Sequence, residues 1–133
     1  MTYAPPVSNL CIAIAVGLFS GCAPITISSD YGATSMSSNP VLCVGKAQCD
    51  IYWQRAQAWV ANNSEYRMQT VTDTVIETQG PTLARSALAF RVTRVPDDKD
   101  GARIVVIASC GNVFGCKPES SAAVTAFEHF VTN

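Results

Sequence analysis

Apolar and polar positions change their period several times along this chain, and each change predicts an element. From Ala47 to Asn62, Ile51, Tyr52, Ala56, Trp59 and Val60 recur at three- and four-residue steps, the signature of an amphipathic helix. Asp50 is expected at its cap or in its first turn, where a carboxylate meets unpaired N–H groups, and Asn62-Asn63-Ser64 ends it. Tyr66 to Thr78 alternates instead. Tyr66, Met68, Thr70, Thr72, Thr74 and Ile76 share one parity and Arg67, Gln69, Asp73 and Glu77 the other, which predicts a half-buried strand with a bend near Asp73. Gly80-Pro81 breaks it.

A second strand is predicted over Ala87 to Val95, with Leu88, Phe90 and Val92 inward and Arg91 outward. Pro96 to Gly101 reads as a turn, so the third strand, Arg103 to Ser109, returns antiparallel. Its uninterrupted run Ile104-Val105-Val106-Ile107 predicts a central or otherwise well-covered strand. Pro118 then suits the first position of a helix, with Glu119 in its first turn and Ala123, Val124, Phe127, Phe130 and Val131 as the buried stripe. The expected fold is an α+β domain: helix, three-stranded antiparallel sheet and C-terminal helix, with both helices on one face of the sheet.

The N-terminal pattern is of another kind. Leu10 to Phe19 is uncharged and apolar but too short to span a bilayer, which takes about 20 such residues. It has the length of a signal-peptide core, and small residues Ser20 and Gly21 lead to Cys22. The string Leu18-Phe19-Ser20-Gly21-Cys22 resembles the lipobox of bacterial lipoproteins. Phe19 stands where that pattern prefers an aliphatic residue, and Met1 to Asn9 carries no Lys or Arg.

The resemblance implies that residues 1–21 are a signal peptide, cleaved so that Cys22 becomes the lipid-bearing N-terminus. Ala23 follows in place of the Asp that retains such proteins in the inner membrane, which implies the periplasmic face of the outer membrane. More than one acyl chain anchors lastingly, at about 0.8 kcal/mol for each buried methylene. Residues 22–41, rich in Ser, Thr, Gly, Pro and Asn, then read as a flexible linker, and 42–133 as the folded domain.

Six cysteines in 133 residues change the picture of the domain. Cys11 and Cys22 belong to the N-terminal segment; Cys43, Cys49, Cys110 and Cys116 form two close pairs, each enclosing five residues. That spacing is neither the redox CxxC nor a common zinc motif. Four cysteines permit three connectivities, and the short loops favour local structural disulfides. Charge narrows the partners. With 9 basic and 10 acidic residues the chain has no basic stripe to displace phosphate counterions, so nucleic acid is not expected.

Candidate chemistry is sparse. His129, the only histidine, falls opposite Phe127 and Phe130 in helical phase and is expected in solvent. Asp97, Asp98 and Asp100 read as a solvated hairpin tip beside Lys99 rather than a calcium loop, and no metal or cofactor site is expected. A binding surface, if the domain carries one, is expected around Trp53, Tyr66 and the pair Val113-Phe114 at the tip of the Cys110 to Cys116 loop. The functional expectation is a non-enzymatic, lipid-anchored envelope domain, touching the membrane through its lipid and binding or supporting another envelope protein. The alternative is an enzyme, or an inhibitor of enzymes, in peptidoglycan processing.

Overall fold

A computed structural model describes residues 33–133. The signal-peptide reading, Cys22 and the linker as far as Gly32 lie outside the described residues. The fold is α+β, with two helices and a six-stranded antiparallel sheet, so three strands was an undercount.

The long strands are the ones with strong alternation. β5 (Ala89–Pro96) and β6 (Ala102–Ser109) pair along their whole length, from Ala89 opposite Ser109 to Pro96 opposite Ala102. Asp97 closes the turn between them, its Oδ1 accepting the N–H groups of Lys99 and Gly101 at 2.8 Å each. The expected strand over Tyr66 to Thr78 is a hairpin: β3 (Met68–Val71) and β4 (Val75–Thr78) fold back at Thr72–Thr74. Thr72 accounts for the reversal. Its Oγ1 accepts the N–H of Val75 at 2.9 Å, and its own N–H donates to the Val75 carbonyl at 2.8 Å.

Of the two additional strands, the first lies within the segment whose composition reads as linker and the second starts at its last residue. β1 (Thr34–Met36) and β2 (Val41–Cys43) both pair with β6, at its two ends, as one interrupted edge strand. β6 is thereby central, as its apolar run predicts. The sheet order is β1-β6-β5-β4-β3.

α1 (Gly45–Asn63) leads from β2 at one edge of the sheet to β3 at the other, and α2 (Ser120–Thr132) closes the chain. Its N-cap is Glu119, so Pro118 and Glu119 precede the helix rather than forming its first turn. The Ser35 and Ser120 hydroxyls, 2.8 Å apart, tie β1 to the start of α2, and Arg55 Nη1 donates to the Val131 carbonyl at 3.1 Å.

One core joins both helices to the strands: Trp53, Ala56, Trp59 and Val60 of α1 with Val124, Phe127 and Val131 of α2, against Ile76, Phe90, Val92, Ile104 and Val106. Trp59 sits edge-on to both Phe90 (5.2 Å between centroids) and Phe127 (5.4 Å), geometry worth about 1 kcal/mol per pair beyond burial. The expected faces hold at Ala56, Trp59 and Val60 of α1 and at Ala123, Val124, Phe127 and Val131 of α2, and depart from expectation at their margins. Ile51 and Phe130 are exposed, while Cys49 and Trp53 are buried. The disulfide explains α1, since bonding Cys49 to Cys43 of β2 turns the Cys49-Trp53-Ala56-Val60 line inward.

Candidate functional site

The sheet register sorts the candidate residues into two ends of the molecule. At one end lie the finish of β6, the start of β5 and the start of β1. At the other lie the start of β6, the finish of β5, β2 and the first turn of α1. Eight residues of β6, at about 3.3 Å each, separate them by about 26 Å.

At the first end two loops pack together. Cys110–Cys116 is bonded, as its spacing favours, and closes the loop carrying Val113 and Phe114. Asn112 Oδ1 accepts the Phe114 N–H at 2.8 Å, which sets the tip. Gly111 lies so close to the neighbouring loop that a Cβ there would stand 2.8 Å from the Thr82 carbonyl oxygen. Lys117 N–H donates to the Ser86 carbonyl, completing the contact. Phe114 is 96% exposed, Leu83 75% and Val113 66%, three apolar residues on two mutually braced loops.

Tyr66 joins this group from below. Its hydroxyl accepts the Thr82 N–H at 3.2 Å, Gly80 (φ +84°) passes directly against its ring, and Arg85 lies over the ring while pairing with Glu65 at 2.9 Å. Ala33 also ends here. Its carbonyl accepts the Cys110 N–H at 3.1 Å and lies 3.5 Å from Cys116 Sγ, so the chain enters the fold beside the stapled loop.

Trp53 belongs to neither loop. It is buried, and its Nε1–H donates to the Thr72 carbonyl at 3.0 Å. Its ring lines a cleft of about 600 Å³ in the other half of the molecule, with Lys46, Asp50, Gln57, Asp73 and Arg94. The structure thus unites Tyr66, Val113 and Phe114 and sets Trp53 apart. Asp50, expected near the α1 cap, instead pairs with Lys46 and, at 3.0 Å, with Arg94. Those two hydrogen-bonded cations, Lys46 foremost, hold its carboxyl below the ordinary carboxylate range. An acid shifted towards its ionised form suits an ion pair, not a general acid.

Beside the cleft is a feature that sequence reasoning missed. Leu42 (71% exposed) and Val44 (80%) project from the β2–α1 junction next to Val95 and Pro96, around a groove of about 390 Å³ that Arg103 and Asp97 border. The bonded Cys43 and Cys49 hold this junction, and Gln48 Oε1 accepts the Val44 N–H at 2.7 Å. The apolar run Val41-Leu42-Cys43-Val44 was the available signal, too short to show a period. His129 is exposed on α2, and the described residues contain no cluster of metal-ligating side chains. No described helix is long and apolar enough to cross a membrane.

No protein-family model, curated protein or solved structure matches the chain.

Proposed function

We propose that this chain is a lipoprotein of the bacterial envelope, anchored through Cys22 at the periplasmic face of the outer membrane, and that its domain binds another envelope protein without catalysis. The observation that carries the binding reading is the rigid apolar groove at Leu42, Val44 and Val95, at the end of the sheet away from Ala33. A chain tethered upstream of Ala33 would hold that groove outward, where a partner reaches it. Both helices are inferred to cover a single face of the sheet. On the opposite parity, cross-strand neighbours Leu42, Arg103 and Val95 form one row, Val105, Thr93 and Val75 the next, and Met36, Ile107, Arg91 and Glu77 a third. Mixed apolar and charged rows of this kind suit a protein surface better than a small ligand.

Exported, disulfide-stapled architecture fits an oxidising envelope compartment. The lipobox resemblance at Cys22 supports the anchor, and the fragment Ser20-Gly21-Cys22 its cleavage. A second reading, an inhibitor of a peptidoglycan-processing enzyme, rests on Phe114 protruding from a braced loop. Two measurements test the proposal. Intact mass of protein from a bacterial membrane fraction should show a chain starting at Cys22 with acyl mass added. A photo-crosslinking residue at Leu42 or Val44 should join a discrete envelope protein in living cells. An unprocessed soluble chain overturns the anchor; an anchored chain that crosslinks to nothing at either position overturns the groove.

A further inference from the structure

We infer that the braced loops carrying Leu83, Val113 and Phe114 rest on the lipid surface, so that the domain stands on the membrane in one fixed orientation. This rests on the anchoring reading above. Ala33 is hydrogen-bonded to Cys110, at the base of the stapled loop, so the tether arrives at the same end as these exposed apolar residues. From Cys22 to Ala33 the chain has eleven steps and spans at most about 40 Å when fully extended. A path shorter than the length of β6, about 26 Å, keeps the end that carries the Cys110 to Cys116 loop nearer the headgroups than the end that carries Leu42 and Val44.

The chemistry of the tip suits that position. A large aromatic and two aliphatic side chains are each largely exposed on two loops that meet at Gly111 and Thr82, and burying them in the acyl boundary removes apolar surface from water. The loop needs no reordering to do so, because the disulfide, the Asn112 hydrogen bond and the Gly111–Thr82 contact already hold it. Charge near the tip is mixed, with Arg85 and Lys117 against Glu65 and Glu119, so contact through apolar insertion is independent of anionic lipid. Leu42 and Val44 then point away from the bilayer, at the opposite end of β6.

The test uses the full chain purified from bacterial membranes, reconstituted in vesicles of phosphatidylethanolamine and phosphatidylglycerol at about 3:1, with and without brominated acyl chains. Phe114→Trp and Leu42→Trp each add one indole to the buried Trp53 and Trp59. The expected result is at least a twofold loss of the added emission for Phe114→Trp in brominated vesicles and none for Leu42→Trp. Intact mass is measured on the same samples. Acylated protein with both added indoles unquenched, or quenched equally, overturns the orientation and leaves the anchor standing. Protein without acyl mass overturns the anchor and the orientation with it. A photo-crosslinker at position 114 that joins a protein in cells also overturns the lipid contact and moves the loop to the inhibitor reading.

Discussion

Ser37 acts as a missing strand residue for Val106. The edge strand is interrupted between β1 and β2, yet Ser37 N–H donates to the Val106 carbonyl at 2.9 Å and Ser37 Oγ accepts the Val106 N–H at 3.1 Å. Both groups are buried, so the hydroxyl does what a backbone carbonyl would do in an unbroken ladder. Ser37→Ala removes that acceptor and leaves a buried N–H unpaired, at a cost of about 1–3 kcal/mol. Urea unfolding should show a lower midpoint with an unchanged slope. A midpoint within error of the parent would mean that water replaces the hydroxyl and the interruption is loose.

Thr78 repeats the device on the other side of the sheet. Its Oγ1 accepts the Phe90 N–H at 2.9 Å just beyond the last register pair of β4 and β5, and the residue is buried. Thr78→Val keeps the shape and the β-branch but deletes the acceptor, so a loss of about 1–3 kcal/mol is expected here also. Thr78→Ser, which retains the oxygen, should recover most of the polar part. Equal losses for the two variants would assign the cost to packing rather than to the hydrogen bond.

These two hydroxyls mark where the sequence was and was not readable. β5 and β6 were legible because eight residues alternate or run apolar without a break, and α2 because Ala123, Val124, Phe127 and Val131 keep a helical step. β1 and β2 have three residues each, too few to show a period, on either side of the polar stretch Ser37 to Asn39, and their pairing is decided by β6, a partner remote in sequence. The hairpin at Thr72–Thr74 was misread as a bend because threonine favours strands, while here its hydroxyl closes a turn. Of the site, the spacing favoured the local Cys110–Cys116 bridge, while the exposure of Phe114 at its tip was not decided by spacing. Leu42 and Val44 were not legible, because exposure of a short apolar run depends on where the Cys43–Cys49 bridge places it.

Asp50 predicts an acid-sensitive link between α1 and β5. Its carboxyl is held below the ordinary carboxylate range by Lys46 first and Arg94 second. A depressed native pKa contributes stability that is present above the unfolded value, about 3.9, and is lost as pH falls through the native one. Asp50→Asn should therefore unfold more easily than the parent at neutral pH, and the two curves should converge in acid below that native pKa. A carbon-detected titration should place the Asp50 carboxyl below ordinary aspartates. A difference that persists undiminished in strong acid would locate the effect in packing of the amide and not in charge.

The two disulfides should contribute to separate properties. Each closes a loop of the same short length, so chain entropy alone assigns roughly 2 kcal/mol to either one. Their surroundings differ. Removing Cys43–Cys49 by paired serines frees the β2–α1 junction and the phase of α1, and should lower global stability. Removing Cys110–Cys116 should chiefly raise amide exchange from Gly111 to Gly115, since that loop carries exposed residues. Exchange that stays slow there after removal would show that Asn112 and the Thr82 contact suffice to hold Phe114.

Phe127 and Phe114 give the sharpest contrast between core and surface. Phe127 is fully buried and meets Trp59 edge-on at 5.4 Å, so Phe127→Ala opens a cavity at the junction of both helices and costs about 3–5 kcal/mol. Phe114 touches water over nearly its whole surface, and Phe114→Ser should change stability by no more than about 0.5 kcal/mol. Chemical unfolding of the two variants side by side measures both values. A large loss for Phe114→Ser would mean that the ring tucks into the fold in solution, and it would then be unavailable to a membrane or to a partner. A negligible one leaves an aromatic residue kept at the tip of a bonded loop for a reason other than stability, which is the premise that the lipid contact requires.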